Sequence, residues 1–239
     1  MTDLHTHILP GMDDGAKTVE MSLAMLRMER DQGVDTVVLT PHFYRDRESP
    51  EKFLSRRRAA GEALRDALES LPEEERKTLP RLAVGAEVAW MPNLADWPEL
   101  PRLCLGRSRN LLLELPFSPW SGQMIRQIYD LMGRTGITPV IAHIERYLKI
   151  QKAEHIAEVL ALGVPVQLSA EPLLHPLRRG RALKLLRGRQ VQLLASDCHN
   201  TTVRPPNLGP AAEIVKSRLG AEKLASMSRR TDALAAGPP

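Results

Sequence analysis

Short apolar runs alternate with longer amphipathic stretches along most of this chain. The apolar runs predict seven strands, near residues 2–8, 34–40, 82–87, 110–115, 138–143, 165–169 and 191–196. Apolar positions with helical spacing predict helices at 18–33, 50–70, 121–135, 152–162, 173–187 and about 210–227. Because helices separate most successive strands, the pattern favours parallel strands joined by right-handed crossovers.

Three stretches depart from this alternation. We interpret residues 71–80 as a charged linker, residues 92–110 as an irregular excursion interrupted by proline and arginine, and residues 228–239 as a frayed or disordered tail. A length of 239 residues with 43% hydrophobic content suits one large α/β domain with a sizeable core. We therefore predict a single domain over residues 1–227.

The predicted strands end on side chains that bind metal ions. Histidines and carboxylates stand at the carboxyl ends of at least six strands or in the first loop: His5, His7, Asp14, His42, Glu87, Glu114, His143, Asp197 and His199. In an open sheet, only the strands beside the switch point converge on one site, whereas a closed barrel brings all strand ends to one mouth. The sequence therefore predicts a TIM-like α/β barrel with a polynuclear metal site at the C-terminal mouth of its strands.

The candidate ligands are imidazoles and carboxylates. Because side chains alternate along a strand, His5 and His7 share one face, as do Asp197 and His199. A ligand set without a confirmed thiolate suits Mn, Fe or Zn. Nine candidates exceed the needs of one ion, so we expect two or three ions with shared carboxylates, which activate water and stabilise displacement at phosphorus.

Each candidate ligand has a structural alternative when it is considered alone. His5 and His7 could form a pair at the rim without metal, Glu114 could pair with an arginine, and Asp14 could close an Asp-Gly turn. Their joint occurrence decides the matter, since burying so many ionisable groups without a cation is costly. The two histidines outside strand ends, at 155 and 175, are interpreted as surface residues.

Charge and composition exclude several classes of protein. The net charge is +4, and the arginine-rich runs lack interleaved aromatics, so we interpret them as solvated helix faces rather than a nucleic-acid interface. Cys104 and Cys198 form no CxxC pair, which argues against a disulfide framework or a structural zinc site. Since no signal segment and no apolar run of about 20 residues is present, we expect a cytoplasmic protein without membrane insertion.

One motif imitates a different chemistry. Cys198 and Arg204 are spaced as Cys-x5-Arg, the signature of phosphatases that attack with a thiolate. That loop requires glycine for its tight turn, but no glycine lies between the two residues. Pro205 and Pro206 follow and remove two N–H donors, and Asp197 places a negative charge beside the thiol. We therefore reject the thiolate interpretation.

The motifs in combination resemble the polymerase-and-histidinol-phosphatase (PHP) superfamily, and within it the bacterial capsule-type protein-tyrosine phosphatases. The resemblance runs from residue 2 to about 220 and rests on these segments: Asp3-Leu4-His5-Thr6-His7-Ile8-Leu9-Pro10, Asp13-Asp14-Gly15, Thr40-Pro41-His42, Gly85-Ala86-Glu87, Ile141-Ala142-His143-Ile144-Glu145-Arg146 and Ser196-Asp197-Cys198-His199-Asn200. It implies a distorted barrel of seven strands.

The resemblance also implies three ligand sets with Glu87 as a bridge: His5, His7, Glu87 and Asp197; Glu87, Glu114 and His143; and Asp14, His42 and His199. It implies two or three divalent ions, with Mn preferred over Fe or Zn. It places Arg146 and Arg204 at the substrate phosphate, where a guanidinium fork binds two oxygens, and counts His199 among the catalytic residues.

The function implied by the resemblance is metal-dependent hydrolysis of phosphotyrosine in proteins. The partner would be a bacterial tyrosine kinase, and the process would be capsular or exopolysaccharide synthesis. Two alternatives remain open at this point. One is a small-molecule phosphatase of the same superfamily, of the histidinol-phosphate type, and the other is a non-catalytic regulator of a kinase or of polysaccharide assembly.

Overall fold

The computed structural model describes residues 1–236, which contain nine strands and nine helices together with three short 3-10 turns. The strands are β1 (Thr2–Thr6), β2 (Thr36–Leu39), β3 (His42–Phe43), β4 (Arg81–Val84), β5 (Glu87–Ala89), β6 (Asn110–Glu114), β7 (Thr138–Ile141), β8 (Gln167–Ser169) and β9 (Leu193–Ala195). The helices are α1 (Val19–Asp31), α2 (Pro50–Glu69), α3 (Glu73–Arg76), α4 (Gly122–Thr135), α5 (Ala153–Ala161), α6 (Glu171–Leu174), α7 (Pro176–Arg187), α8 (Leu208–Leu219) and α9 (Ala221–Ala236).

Side-chain caps begin three of the longer helices. The hydroxyl of Thr18 accepts a hydrogen bond from the third helical N–H of α1, at 3.3 Å, which confirms the predicted start. Ser49 and Ser121 do the same for α2 and α4. None of the helices in residues 1–236 is both long enough and apolar enough to cross a bilayer.

All regular strand pairs are parallel, as predicted. β2 lies between β1 and β4, β5 lies between β3 and β6, β6 also pairs with β7, and β8 pairs with β9. Two single bridges, Ile141 with Val166 and Thr6 with Cys198, link these sheets. The short strands β3 and β5 continue β2 and β4 after two residues each. The pairs therefore follow a ring of seven strand positions, but the ladders divide into three regular sheets within the described residues.

Both faces of the ring are buried. Leu112 of β6 belongs to an apolar cluster with Leu4, Val38 and Val140 from three other strands. Its neighbour Leu113 belongs instead to the larger cluster that packs the strands against the helices. Since successive residues of a strand point to opposite sides, the short apolar runs without polar alternation are explained by burial on both faces.

Strand β1 contains a register shift in the segment that carries the predicted ligand His5. Asp3 pairs with Val37 and Thr6 with Leu39, so three steps along β1 oppose two along β2. This is the geometry of a β-bulge, which turns a side chain away from strict alternation. The bulge lies between Asp3 and Thr6 and is a local feature that the simple period of two did not predict.

Two predicted helices are divided in the structure. The helix predicted at 173–187 breaks at His175, whose extended backbone (φ −84°, ψ 120°) precedes Pro176. A proline disfavours helical backbone geometry in the residue that precedes it. The His175 ring also accepts a hydrogen bond from the N–H of Leu177, at the start of the second helix. The helix predicted at 210–227 breaks at Gly220, whose φ of +95° suits glycine.

The chain after residue 227 differs from the expectation of a frayed tail. Residues 228–236 complete α9, which packs on β1 with Thr231 and Ala235 buried. The Thr2 hydroxyl donates to Asp232 at 2.6 Å and fixes the helix to the first strand. Residues 237–239 lie outside the described part of the chain, and a domain boundary at 227 stays a prediction. The linker at 71–80 contains the short helix α3, and the excursion at 92–110 contains two 3-10 turns.

Candidate metal centre

Glu87 lies at the centre of the predicted ligand cluster. It begins β5, is 1% exposed, and is surrounded by histidines from other strand ends. Its Oε2 lies 3.2 Å from His5 Nε2, 3.3 Å from His7 Nε2 and 2.9 Å from His42 Nδ1. Its Oε1 lies 2.8 Å from His143 Nε2. One carboxylate therefore contacts four imidazoles, which is the position expected of a bridging ligand.

The nine predicted ligands lie together, in groupings that differ from the family-derived sets. Ligand atoms within 4.8 Å of one another form three groups: His7, Asp14, His42 and His199; His5, His7 and Glu87; and His42, Glu87 and Glu114. His143 Nε2 lies 3.5 Å from Glu114, and Asp197 Oδ1 lies 3.5 Å from His5 Nε2. Two residues thus reach beyond their predicted sets, since His7 also contacts the Asp14 group and His42 the Glu87 group. The assignment of ligands to individual ions stays a prediction.

Both predicted arginines contact one carboxylate of the cluster. Arg146 forms an ion pair with Asp197 Oδ2, and Arg204 donates to Asp197 Oδ1 at 2.8 Å. Each arginine side chain remains about one third exposed, whereas the Asp197 side chain is buried. Burial raises the pKa of Asp197, but the charges of His5, Arg146 and His143 outweigh it and hold this pKa below its usual range. Two cationic forks therefore lie at the same side of the cluster.

Two ligand positions have an unusual backbone. His143 has a φ of +30° and Asp197 a φ of +55°, and each is the second residue after the end of a strand. Residues other than glycine rarely adopt a positive φ, and those that do are concentrated at functional sites. At each position the chain leaves the sheet and turns its side chain into the cluster.

Two further residues orient the histidines, and the sequence did not single them out for this role. Asp13 Oδ2 accepts from His7 Nδ1 at 2.7 Å and from the backbone N–H of His42 at 2.8 Å. Gln167 Oε1 lies 3.2 Å from His5 Nδ1. A hydrogen bond at Nδ1 fixes the ring and leaves the Nε2 lone pair free to bind a cation. The only sequence signal was the acidic Asp-Asp-Gly loop for Asp13, and there was none for Gln167.

Gly15 allows the first loop to approach the cluster. A Cβ at this position would lie 2.1 Å from the carbonyl oxygen of His7 and 2.5 Å from the His7 Cβ. No rotamer change can relieve a clash with backbone. The Gly15 N–H also donates to Asp13 Oδ1 at 2.9 Å, so the glycine places the carboxylate that orients His7.

Tyr44 is another residue that sequence analysis missed. Its hydroxyl lies 3.2 Å from His42 Nδ1 and 3.3 Å from Glu114 Oε2. Burial and the neighbouring carboxylates raise the pKa of Tyr44, so its hydroxyl stays protonated. It follows His42 by two residues in the sequence, and strand alternation continued one residue past the end of β3 is the only signal that could have found it.

The electrostatics fit a cation-binding set. Burial opposes ionisation of Glu87, but His5 and the other imidazoles hold its pKa well below the usual range. Burial and the positive charge of His7 lower the pKa of His199 to about 3, so its ring is neutral. The Nδ1 of His199 donates to the Asp197 carbonyl at 3.0 Å. Its Nε2 has no hydrogen-bond partner in residues 1–236. Charged carboxylates and an unpartnered neutral imidazole nitrogen are the donors that divalent ions require.

Cys198 lies outside this set. It is fully buried, and its Sγ donates to Glu29 Oε1 at 3.6 Å. Burial and the nearby carboxylates raise the pKa of the thiol well above its usual range. The side-chain oxygen of Asn200 accepts from the N–H groups of Thr202, Val203 and Arg204. These are the donors that a thiolate phosphatase would aim at phosphate, so the rejection of thiolate chemistry is supported by the geometry.

Known proteins match this chain over nearly its whole length. Residues 1–233 match the model of a family described as capsular polysaccharide synthesis, CpsB/CapC. The tyrosine-protein phosphatase CpsB of Streptococcus pneumoniae is 31% identical over 239 residues, with 93% of each chain covered. The tyrosine-protein phosphatase YwqE of Bacillus subtilis is 29% identical over 228 residues, with 93% of this chain and 86% of YwqE covered.

A solved structure has the same fold. It comes from a study of YwqE from Bacillus subtilis and CpsB from Streptococcus pneumoniae, described there as unique metal-dependent tyrosine phosphatases. The TM-score is 0.84 at 24% identity, and the match covers 100% of this chain and 96% of the other. The likeness establishes the α/β architecture that the strand order predicted.

Proposed function

The chain belongs to the CpsB/CapC family of capsular polysaccharide synthesis, and on that premise we propose that it is a metal-dependent phosphatase of protein phosphotyrosine. Relatives named tyrosine-protein phosphatases align with 93% of the chain. The observation that carries the proposal is the contact between the two arginines and Asp197 at the edge of a buried ligand cluster. In this proposal, the two guanidinium groups would bind the phosphate directly beside the side chains that would bind the cations.

The metal ions would be held by the nine residues that the sequence predicted. We propose two or three ions. The imidazole and carboxylate donors suit Mn, Fe and Zn alike, and the preference for Mn rests on the family resemblance. Glu87 would be shared between ions, since it belongs to two of the three ligand groups. When bound, such ions act as Lewis acids that lower the pKa of water and offset charge on phosphoryl oxygens.

The protein's own groups prepare this site for a phosphate ester. Asp13 and Gln167 hold the His7 and His5 rings with their Nε2 atoms turned towards Glu87. Arg146 and Arg204 would each present two parallel N–H donors to the phosphoryl oxygens and fix their direction. A tyrosyl leaving group has a pKa near 10 in its free form, so it departs without a strong general acid.

The partner that we propose is a tyrosine-phosphorylated protein of capsular or exopolysaccharide synthesis, namely a bacterial tyrosine kinase. The description of the family as one of capsular polysaccharide synthesis supports this choice of process. His199 would act at the exposed side of the cluster, where its Nε2 lies 3.5 Å from Asp14 Oδ1 and the Asp14 side chain is 66% exposed. A protein-borne substrate can reach such an open edge.

A single set of assays tests the proposal. Protein dialysed against EDTA is supplied with Mn, Fe(II) or Zn and offered phosphotyrosyl peptide, para-nitrophenyl phosphate and histidinol phosphate. We expect turnover of the two aryl phosphates only with added metal. Preferential hydrolysis of histidinol phosphate would establish the small-molecule alternative instead. Absence of turnover with every metal, together with tight binding to a kinase, would establish the non-catalytic regulator.

A further inference from the structure

A cavity of about 670 Å³ lies against the arginine side of the metal centre. Arg146, Arg204 and Asp197 form part of its wall. The remainder comes from the turn after β7, the end of β8, helices α6 and α7, and the loop before α8. A substrate whose phosphate is held by the two arginines would extend into this space with the residues that flank its phosphorylated side chain.

The wall of the cavity has an excess of positive charge. Asp197 is already neutralised by its two arginines, and Glu171 forms an ion pair with Arg178. Lys149 and Arg181 line the same cavity and are exposed. Within residues 1–236, neither of them forms an ion pair. The third carboxylate of the wall, Glu145, accepts a hydrogen bond from the backbone N–H of Ser169 and pairs with neither cation, so the five cations of the wall outnumber its three carboxylates by two.

Two buried polar atoms in the wall also lack partners. Ser169 is 3% exposed and Asn207 is 9% exposed, and both line the cavity. Within the part of the chain that the structure describes, Ser169 Oγ and Asn207 Oδ1 make no hydrogen bond. Asn207 occupies the cap position of α8 but does not use its side chain there. A hydroxyl donor and an amide acceptor match the C=O and N–H of an extended peptide.

We propose that this cavity binds the acidic residues flanking a phosphotyrosine, with Lys149 and Arg181 pairing with their carboxylates and Ser169 and Asn207 contacting the peptide backbone. The inference rests on the proposed function and specifies its substrate as an acidic phosphotyrosyl segment. A small anion could pair with Lys149 and Arg181, but it has no peptide N–H and C=O groups to form hydrogen bonds with Ser169 and Asn207.

The test compares matched phosphotyrosyl peptides in which flanking Glu and Asp are replaced by Gln and Asn. Wild type should show a kcat/KM about tenfold higher for the acidic peptide, equivalent to about 1.4 kcal/mol of transition-state binding. In the Lys149→Glu, Arg181→Glu double variant this preference should vanish or reverse, with para-nitrophenyl phosphate turnover unchanged. The same order should hold for the Kd of peptides carrying a non-hydrolysable phosphonate, which reports binding without turnover.

Lys184→Glu is the matched control. Lys184 is exposed on the same helix as Arg181, three residues further on, and does not line the cavity. Its reversal should leave the acidic preference intact. Loss of the preference in this control would show a general charge effect and overturn the inference, as would equal turnover of both peptides by wild type.

A second pair of variants addresses the backbone contacts. Ser169→Ala and Asn207→Ala should raise KM for both peptides and leave para-nitrophenyl phosphate unaffected. Unchanged KM in both variants would overturn the backbone contacts. Failure of wild type with metal to hydrolyse any aryl phosphate would overturn the proposed function and this inference with it, an outcome distinct from equal turnover of the two peptides.

Discussion

Asp13 and His7 form a carboxylate–histidine pair at 2.7 Å, with both side chains buried. Burial opposes protonation of His7, but Asp13 and Glu87 outweigh it and raise the pKa of His7 to about 10. Without a cation the ring is therefore protonated on both nitrogens. Asp13 keeps the Nδ1 proton and directs Nε2 into the cluster, where binding of a cation would require loss of the second proton. This is the arrangement by which metalloproteins set the tautomer and orientation of a ligating imidazole.

Asp13→Asn should weaken metal binding without removing a ligand. Since the outer partner of a ligating histidine typically contributes about 10–100-fold to affinity, we expect a loss in that range. Titration of the EDTA-treated protein with Mn, followed calorimetrically, measures it. Asp46→Asn is the control, because Asp46 is exposed in the loop after β3. Equal Mn affinity in the Asp13 variant and wild type would refute the orienting role.

Glu87→Gln should remove more metal than Glu114→Gln. Glu87 belongs to two ligand groups and Glu114 to one, so their loss should affect different numbers of ions. Elemental analysis of the purified variants measures the ions retained per chain. Retention of the same number of ions in both variants would show that Glu87 does not bridge.

Arg204→Ala should reduce turnover and leave metal content intact. Removal of one donor to a developing anionic centre costs roughly a hundredfold or more in kcat. Arg146 can hold the phosphate in part, so the double variant should lose more than either single one. Arg189→Ala, at an exposed position after α7, is the control. Metal loss equal to that of Asp197→Ala would instead make Arg204 a structural residue that holds Asp197.

The general arrangement of the site could be predicted because strand ends are marked in the sequence. Each apolar run that ends on a metal-binding residue became a parallel strand, and parallel strands bring their carboxyl ends to one side. Thus His42 and His143, far apart in sequence, both contact Glu87. A metal-binding residue at the end of an apolar run can be recognised locally in the sequence, although the site that it joins is formed by residues from distant segments.

The orienting residues could not be predicted, because their roles depend on contacts between distant segments. Gln167 acts on His5, 162 residues earlier, and it is an ordinary strand residue by composition. Tyr44 reaches Glu114 across 70 residues. The helical end of the chain was missed for a similar reason, since α9 packs on β1, β9 and α8, which are contacts that the local sequence pattern does not show.

Glu29→Gln should stabilise the protein increasingly as the pH rises. Burial, together with the nearby Asp3 carboxylate, raises the pKa of Glu29 well above its ordinary 4.5. The folded chain therefore binds this proton more tightly than the unfolded chain. The associated stability is fully present below about pH 4.5 and is lost as the pH rises towards the folded pKa.

We expect Glu29→Gln to raise Tm by at least about 2–4 °C at pH 8, the shift for roughly 1 kcal/mol in a chain of this size, and by less at pH 5. Thermal unfolding in EDTA at both pH values measures the difference, free of stabilisation by metal. Glu62→Gln, at an exposed position on α2, should show no such trend. Parallel pH profiles for wild type and Glu29→Gln would contradict the assigned protonation.

The adjacent pair Asp197 and Cys198 separates the two phosphatase chemistries. Asp197 points into the ligand cluster, 3.5 Å from His5 Nε2, whereas the Cys198 thiol points away to Glu29. Asp197→Ala should therefore abolish metal-dependent turnover. Cys198→Ser should lose about tenfold or less, equivalent to about 1.4 kcal/mol, because a hydroxyl can still donate to Glu29.

Chelation completes this comparison and decides it. EDTA should abolish turnover of para-nitrophenyl phosphate in wild type and in Cys198→Ser alike, and added Mn should restore both. A thiolate enzyme requires its cysteine as the attacking atom and is indifferent to chelators. Full activity of wild type in excess EDTA, with an inactive Cys198→Ser, would therefore overturn the metal-dependent mechanism while leaving the fold assignment intact. The buried, protonated Cys198 and the occupied N–H groups around Asn200 are the structural reasons to expect the opposite.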